Sequence, residues 1–455
     1  MKKPLFFLLL TLNFIAHSQN ITEFITVDQL GYRAESIKKA VIRNPVTGFD
    51  ADLSYTPPSQ LHLVESETKT IVFSANITPW KNGNTDLSSG DQAWHFDFSI
   101  YKEPGKYYIL DQTNNLKSYD FLIKEDVYQD VLKHAVRTFF YQRAGFAKNA
   151  PYAEAGWVDG ASHVGPLQDK NARHYLSPND MSTERDLSGG WYDAGDFNKY
   201  TSWTAGYILS LLQAYSENPE VWTDDYNIPE SGNGTPDIID EILWGLAHLE
   251  RLQNDNGSMI SIVSLASASP PSSATGQSLY GNVNTSSTLA SAGVFAFASK
   301  VLGNYGMTTL ADRLKERAEK AWDWADANPN VIWRNNDAAS GTKGIGAGQQ
   351  ETDDYGRLSY KIRASVYLFE LTQKQKYHDY FLANYEQTNM FGWNNFVFPF
   401  QYNQQKTLLY YTTLAQSNST AKQKILNSYK LGVLKQDQLL SYTNNDDPYL
   451  AHIKD

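Results

Sequence analysis

Residues 189–200 read GGWYDAGDFNKY. Two carboxylates, Asp193 and Asp196, stand three positions apart in a turn that opens with two glycines, and only small residues separate them. Small residues let a second molecule approach both acids, and carboxylates can orient and deprotonate a water. The neighbouring rings of Trp191 and Tyr192 offer faces on which sugar rings stack. This stretch predicts a carbohydrate-active site with Asp193 and Asp196 as its acids.

The spacing of the two acids limits what they can do together. Groups three positions apart in a tight turn lie on the same side of a cleft, so Asp193 and Asp196 are expected to share one water rather than to flank a glycosidic bond. A second interpretation is structural. Aspartates near a turn often cap a helix, and a helix is predicted to begin near Lys199.

The sequence before this stretch has the texture of a β-domain, over residues 19–124. Residues 94–100, WHFDFSI, alternate apolar and polar side chains, which is the period of a half-buried strand. Residues 103–106, EPGK, form a turn signal. The pattern predicts a small antiparallel sandwich of immunoglobulin type. The predicted strands are 24–27, 61–64, 70–73, 94–101, 106–110 and 118–123.

Beyond residue 124 the pattern becomes helical. Apolar residues recur at three-four spacing, which is typical of helices that bury one face. Residues 125–455 are therefore assigned to a helical domain. The predicted helices are 127–148, 202–215, 238–253, 287–302, 311–327, 358–371 and 421–438.

Two long segments interrupt these helices, at residues 149–190 and 261–286, and both are rich in Gly, Ser, Pro and Asn. Loops of this length in a compact domain are usually functional. We expect them to build a substrate cleft. Their aromatic residues Trp157 and Tyr280 are predicted to join Trp191 and Tyr192 as sugar-stacking subsites.

Residues 1–18 have the pattern of a signal peptide. Lys2 and Lys3 precede an apolar run at positions 4–16, and AHS at 16–18 fits a small-x-small cleavage site. The sequence therefore predicts a secreted or periplasmic protein. No later segment offers about 18 uninterrupted apolar residues, so no membrane span is predicted.

Composition restricts the partners. The formal net charge is −11, from 39 Lys+Arg against 50 Asp+Glu, which disfavours nucleic acid and other polyanions. The chain has no cysteine, which excludes disulfides and thiolate metal sites. We expect a monomer whose stability comes from packing.

Four stretches carry a resemblance to the glycoside hydrolases of family 9, in the bacterial type with an N-terminal immunoglobulin-like domain. They are residues 27–32 (VDQLGY), 134–145 (HAVRTFFYQRAG), 189–200 and 228–241 (IPESGNGTPDIIDE). The resemblance implies that the β-sandwich precedes an (α/α) toroid of six helical hairpins. It also implies hydrolysis of β-1,4-linked glucans, such as cellulose, mixed-linkage glucan or xyloglucan, with inversion.

The resemblance assigns Asp196 as the general base and Asp193 as its helper. Inversion also needs a carboxylic acid roughly 6.5–9.5 Å away. In the family this acid is a glutamate near the end of the toroid, and neither that pattern nor the full number of helices is found in residues 125–455. We therefore expect an incomplete toroid. The alternative to hydrolysis is an inactive truncated remnant or a glycan-binding protein.

One glutamate, Glu351, lies in a glycine-rich acidic loop and is the best stand-in for the acid. A structural role is preferred to a catalytic one for Glu351. Acids just before a helix stabilise the N-terminus of that helix, and a helix is predicted soon after.

Metal sites are weakly indicated. Some family members hold a structural metal through cysteines, whereas this chain has Ala144 and Ser162 at those positions. Asp237, Asp240 and Glu241 offer oxygen ligands of the kind that calcium takes, but their helical context favours dipole and surface roles. The sequence therefore predicts no cofactor, with calcium left as an open alternative that no clear motif supports.

Overall fold

The structure is a computed structural model that describes residues 19–265, 268–435 and 444–450. The described residues form two compact units. One contains the residues up to Asp130 together with 444–450, and the other begins at Val131. The predicted signal peptide, residues 1–18, lies outside the described residues.

The first unit is built from short β-strands. They are β1 Asn20–Ile21, β2 Ile25–Thr26, β3 Lys39–Pro45, β4 Gln60–Glu65, β5 Ile71–Asn76, β6 Thr78–Pro79, β7 Asp91–Asp97, β8 Gly105–Asp111, β9 Leu116–Lys117 and β10 Phe121–Ile123. One sheet has the order β1-β9-β8-β4-β5 with β10 beside β8, and the other has the order β2-β3-β7-β6. Apolar side chains of both sheets, among them Ile42, Leu63 and Phe96, share one core.

Besides the two-residue strands β1, β6 and β9, strand β3 is missing from the strands predicted from sequence. It pairs with β7 along its full length, with Ile42 opposite Trp94. The periodicity is obscured because Arg43 is largely buried and its guanidinium bonds to Asp50 at 2.6 Å and Asp91 at 2.8 Å. From the sequence alone, a charged residue of this kind is predicted to be exposed.

Residues 444–450 belong to the first unit, although the sequence assigned them to the helical domain. The indole Nε1 of Trp80 donates to the carbonyl of Asn445 at 2.7 Å, and His95 Nε2 lies 2.7 Å from the carbonyl oxygen of Pro448. Tyr449 packs against Trp80 and donates to Asp91. These contacts attach the segment to the second sheet of the sandwich.

The second unit is mainly helical. Its helices are α1 Gln129–Gln142, which starts just before the unit, α2 Thr201–Glu217, α3 Asp237–Arg251, α4 Thr285–Tyr305, α5 Thr308–Ala327, α6 Asp354–Thr372, α7 Gln375–Asn384, α8 Asn389–Gly392, α9 Tyr402–Thr413 and α10 Ser419–Lys435. Helix α4 contacts α2, α5 and α6, and it is buried on almost every side. A helix that is apolar all round lies inside a domain, so α4 occupies the centre of this core.

A small four-stranded sheet lies in the same unit, in the order β11-β14-β13-β12. Its strands are β11 Arg173–His174, β12 Lys199–Tyr200, β13 Ile262–Ser264 and β14 Leu279–Tyr280. They come from the two long loops and from the 189–200 stretch, so the sheet ties these three segments together.

Helices α7, α8 and α9 are absent from the predicted set. In α9, polar side chains face the interior: Gln404 donates to Ser359 Oγ and Gln405 to the carbonyl of Phe398, each at 2.7 Å. Because buried amides break the apolar period, the helix cannot be recognised from hydrophobicity. None of the helices in the described ranges is long and apolar enough to cross a membrane.

A glycine in helix α3 provides a test of this packing. A Cβ at Gly245 would lie 2.2 Å from Trp191 Cη2 and 2.9 Å from Ile208 Cγ1. Gly245→Ala is expected to lower the free energy of unfolding by about 1–3 kcal/mol through overpacking. At Gly206 in α2 a Cβ would have nothing within 4 Å, so Gly206→Ala is expected to raise it by about 0.5–1 kcal/mol. Urea unfolding of both variants checks this, and equal effects would contradict it.

Candidate active site

The turn at residues 189–200 is anchored by a buried lysine. Lys199 Nζ donates to the carbonyls of Leu187 at 3.0 Å and Gly189 at 2.8 Å, and it pairs with the buried carboxylate of Asp169. Complete burial lowers the pKa of Lys199, and Asp169 opposes that shift. Gly190 has φ +73° and a Cβ there would lie 2.5 Å from the His248 ring. Glycine is therefore required at this position, and the lysine holds the turn from beneath.

Each of the two predicted catalytic acids has a tyrosine partner. Tyr207 donates to Asp193 Oδ1 at 2.5 Å, and Tyr200 donates to Asp196 Oδ2 at 2.7 Å. Burial raises the pKa of Tyr200 to about 12, and the hydrogen bond to Asp196 adds to this shift. Burial likewise raises the pKa of Tyr207. Both phenols therefore stay protonated and act as donors near neutral pH.

The helix-capping interpretation of these acids is wrong. Helix α2 begins at Thr201, its N-cap residue is Tyr200, and no side chain caps it. Both acids are half-buried in the turn that precedes it, where the backbone N–H of Asp193 donates to the Asn198 carbonyl at 2.9 Å. The turn thus presents the acids beside the helix instead of at its end.

The glycine-rich loop around residue 346 supports Tyr200. The Tyr200 hydroxyl accepts hydrogen bonds from the backbone N–H of Ala347 at 2.9 Å and of Gly348 at 2.8 Å. Gly346 has φ +74°, and a Cβ there would lie 2.7 Å from Ile262 Cδ1. The glycines thus let the loop approach the phenol, which fixes the carboxylate of Asp196.

Removal of the Tyr200 hydroxyl should show this support directly. Tyr200→Phe leaves two partly buried backbone amides without their acceptor, so the free energy of unfolding is expected to fall by about 1–3 kcal/mol. Tyr207→Phe removes a single hydrogen bond and orphans no amide, so its expected cost is nearer about 1 kcal/mol. Urea unfolding of the two variants gives the comparison. A Tyr200→Phe variant as stable as wild type would refute the supporting role.

Asp196 opens into a cavity of about 300 Å³. The cavity also presents Asn198, Ser264 and Gln277, together with aliphatic Leu265 and the backbone of the glycine-rich loop. Among the described residues that line it, Asp196 is the sole carboxylate. The cavity can therefore place a polar ligand and a water against one half-buried acid.

Two of the predicted sugar-stacking rings have packing roles instead. Trp191 is 2 % exposed, and its indole Nε1 donates to Glu241 at 3.1 Å. Tyr192 is 7 % exposed, and its hydroxyl donates to the carbonyl of Tyr141 at 2.8 Å. An aromatic residue beside such a turn either packs beneath it or offers its face to a sugar. The sequence does not distinguish these two roles.

The other two predicted rings differ from each other. Trp157 is 72 % exposed, so its indole faces solvent. Tyr280 lies in β14, is half-buried, and donates to the carbonyl of Thr183 at 2.8 Å. Contact of either ring with a sugar stays a prediction.

Sequence reasoning missed three aromatic residues near the acids. Tyr200, Trp203 and Tyr207 follow one another at spacings of three and four, and the rings of Tyr200 and Trp203 lie 4.2 Å apart. Residues at this spacing share one helix face. This spacing, immediately after the acidic turn, is the sequence signal by which the three residues could have been found.

Glu351 does not take part in the candidate site. Its side chain is 1 % exposed and pairs with Arg357 at 3.1 Å. It also accepts hydrogen bonds from Asn284 at 2.9 Å, from Ser286, and from the backbone N–H of Trp333 at 3.1 Å. These bonds hold the loop onto the start of α4, so the role of Glu351 is structural. It differs from the predicted stabilisation of the following helix, which is capped by Asp353.

The three acids that α3 contributes to the 228–241 stretch are buried, so the surface role predicted for them is wrong. Asp237, Asp240 and Glu241 are 0 %, 8 % and 0 % exposed. Arg143 Nε donates to Glu241 at 3.1 Å and its Nη1 donates to Glu230 at 3.0 Å. This network links α3 to the end of α1 beneath the turn at residues 189–200.

Family comparisons cover both units. The model described as "Glycosyl hydrolase family 9" matches residues 128–453, and the one described as "Cellulase N-terminal ig-like domain" matches residues 21–115.

Curated relatives are similar over much of the chain. The cellulose 1,4-beta-cellobiosidase of Acetivibrio thermocellus is 27 % identical over 79 % of this chain and 42 % of its own length. The cellodextrinase of Butyrivibrio fibrisolvens is 27 % identical over 78 % of this chain and 59 % of its own length. A xyloglucan-specific endo-beta-1,4-glucanase of Bacteroides ovatus is 30 % identical over 53 % and 41 %, respectively. The chain thus spans about half the length of these relatives.

Solved structures share the fold. A metagenome-derived family 9 endoglucanase has a TM-score of 0.74 at 24 % identity, covering 92 % of this chain and 73 % of its own. A family 9 protein of Bacteroides ovatus has a TM-score of 0.76 at 22 % identity, covering 95 % and 76 %. The predicted fold, an immunoglobulin-like sandwich followed by a helical domain of the (α/α) toroid type, is confirmed.

Proposed function

Because the chain belongs to glycosyl hydrolase family 9, we propose that it hydrolyses β-1,4-glucosidic bonds in glucans such as cellulose, mixed-linkage glucan or xyloglucan. The observation that carries this proposal is the half-buried carboxylate of Asp196, held by Tyr200 at the edge of a cavity. The names of the relatives, which include a cellobiosidase, a cellodextrinase and a xyloglucanase, support the same linkage.

Asp196 acts as the general base in this proposal. Its ionised carboxylate takes a proton from the attacking water, a contribution that is typically about 10²–10⁴-fold in rate. The hydrogen bond from Tyr200 fixes the orientation of the carboxylate, which keeps the attacking geometry constant. Asp193, held by Tyr207, orients the same water from the other end of the turn.

Inversion follows if a carboxylic acid on the far side of the sugar protonates the leaving oxygen. The two groups must stand about 6.5–9.5 Å apart to leave room for the water. Asp193 and Asp196 share one turn, so the acid has to come from another segment. Glu351 is excluded from that role by its burial and its pairing with Arg357.

A glycan-binding protein without hydrolysis is the second candidate. It is favoured by one observation: of the described residues that line the Asp196 cavity, Asp196 alone carries a carboxyl group. In that case the polar lining would recognise sugar hydroxyls and no bond would be cleaved.

Reducing-sugar release by the purified protein separates the two candidates. Mixed-linkage β-glucan, xyloglucan and carboxymethylcellulose are the substrates, and an α-glucan serves as the control polysaccharide. We expect release from at least one β-1,4-glucan and none from the α-glucan. Retarded migration of the folded protein in β-glucan gels without sugar release would overturn hydrolysis in favour of binding.

The stereochemistry has its own readout. If hydrolysis proceeds with inversion, the first anomer seen by proton NMR during cleavage of a β-1,4-linked oligosaccharide is the α-form. Initial appearance of the β-anomer would overturn the single-displacement mechanism.

We also propose export of the protein to the periplasm or the medium. The support is the leader-like sequence of residues 1–18 and the polymeric nature of the proposed substrates. N-terminal sequencing of exported protein should give Gln19 as the first residue, and retention of Met1 in the cytoplasmic fraction would contradict export.

A further inference from the structure

A second cavity lies in the helical unit, where helices α2 and α4 end. Its volume is about 470 Å³, which falls within the range of about 300–1,000 Å³ that small-ligand sites occupy. Tyr215 near the end of α2, residues 300–305 at the end of α4 and Tyr410 of α9 contribute to its lining. Three helices thus enclose a space that the proposed hydrolysis does not use.

This cavity is separate from the one at Asp196. From the start of α2 to Tyr215 the helix rises by roughly 21 Å, at about 1.5 Å per residue. The start of α4 lies on the Asp196 side, because its N-cap residue Asn284 bonds to Glu351, in the loop whose residues 344–347 line the Asp196 cavity. The two cavities therefore lie at opposite ends of α2 and α4.

Aromatic rings form much of the wall of the second cavity. The rings of Tyr215 and Tyr305 meet edge to face with centroids 6.2 Å apart, and those of Phe297 and Tyr410 do so at 5.7 Å. The three tyrosines are half-buried, so part of each ring remains accessible. Accessible aromatic faces of this kind pack against the C–H groups of a sugar ring.

Polar groups without partners lie among these rings. The hydroxyls of Tyr215 and Tyr305 and the side-chain amide of Asn304 form no hydrogen bond with any residue that the structure describes. Each phenol can both donate and accept, and the amide offers two donors and an acceptor. Sugar hydroxyls have the same double capacity, so the lining can satisfy a ligand that carries several of them.

The charge of the cavity favours a neutral ligand. Among the described residues of the lining Lys300 alone is charged, and its ammonium group pairs with Glu370. Tyr410 donates to the same carboxylate at 2.7 Å and accepts from Lys300. An anion would meet a cation that is already neutralised, whereas the third donor of the ammonium group stays available to a hydroxyl.

We propose that this cavity binds a segment of a neutral glucan chain, as a second saccharide site apart from Asp196. The lining supports the class of ligand, and the β-1,4 linkage rests on the proposed hydrolysis of β-1,4-glucans. Cleavage is not expected there, because the described lining has no carboxyl group. A polymer held at this site stays attached to the protein while the Asp196 cavity releases its own segment.

Isothermal titration with cellohexaose tests the proposal, with the full chain carrying Asp196→Asn so that the probe stays intact. Adding Tyr305→Ala or Asn304→Ala should remove one binding event or weaken it at least tenfold. Asn304 is exposed, so its replacement leaves the core packing unchanged. Tyr119→Ala is the control, because Tyr119 is a 61 % exposed tyrosine of the first unit, and it should leave binding unchanged.

Hydrogen exchange locates the binding event. Cellohexaose should slow amide exchange in residues 300–306 of the Asp196→Asn protein, and Tyr305→Ala should abolish this effect. The proposal is overturned if the Asp196→Asn protein binds no cellohexaose, or if Tyr305→Ala and Asn304→Ala both leave stoichiometry and affinity unchanged. Binding that depends on Tyr305, in a protein whose wild type releases no reducing sugar, would overturn the proposed hydrolysis and leave this site standing.

Discussion

Asp196→Asn is expected to lower the rate of β-glucan hydrolysis by about 10²–10⁴-fold, the usual contribution of a general base. The amide keeps the size of the side chain and still accepts the hydrogen bond from Tyr200, but it cannot take a proton from water. Glucan affinity should change little, because the rest of the cavity lining is intact. Initial rates of reducing-sugar release, together with gel retardation, measure both quantities.

The control for this variant is Asp180→Asn. Asp180 accepts a hydrogen bond from the Ser182 backbone at 2.9 Å in an exposed turn, so the same chemical change there should leave turnover within about twofold of wild type. If Asp196→Asn kept wild-type turnover, Asp196 would have no place in the mechanism. If Asp193→Asn abolished turnover and Asp196→Asn did not, the roles of the two acids would be exchanged.

Lys199→Met should lower the free energy of unfolding by about 3–5 kcal/mol, as expected when one partner of a buried ion pair is removed. Asp169 would then be a buried carboxylate without its cation, and the carbonyls of Leu187 and Gly189 would lose their donor. Because these groups hold the turn that carries Asp193 and Asp196, the proposed hydrolysis should fall as well. Urea unfolding, with the midpoint and slope reported separately, measures the stability change.

Two further variants keep this prediction testable. Lys199→Met combined with Asp169→Asn removes the orphaned charge while keeping the acceptor for Ser278, so it should recover at least about half of the lost stability. Lys170→Met changes an exposed neighbouring lysine and should shift stability by no more than about 0.5 kcal/mol. Similar losses for Lys170→Met and Lys199→Met would show that the buried pair is not the cause.

Local patterns in the sequence were sufficient for much of the fold. Helices such as α3 and α5 bury one face, so their apolar residues recur with the helical period and their positions could be predicted within a few residues. Helix α9 was not predicted because buried amides interrupt its apolar period. Strand β3 was not predicted because a largely buried arginine interrupts its period. Each such polar group is paired with a residue that no local pattern identifies.

The candidate site, too, could be predicted only in part from local sequence patterns. The acidic turn could be recognised because two carboxylates, three glycines and several aromatic residues lie within twelve positions. The roles of Trp191 and Tyr192 could not be predicted in this way, because the burial of a ring depends on what packs over it. Trp191 bonds to Glu241 and Tyr192 to Tyr141, each about fifty residues away in the chain.

The sequence by itself determined the order of the two domains, the family, and the two candidate acids of the 189–200 turn, since all of these are written in contiguous residues. Only the tertiary structure decided that Tyr200 fixes Asp196 through the loop at 347–348, and that Glu351 bonds to Asn284 and Ser286 at the start of α4. The physical reason is distance along the chain. Hydrogen bonds and charge pairs act over a few ångströms in space, and folding brings together partners that a reading of neighbouring residues cannot connect.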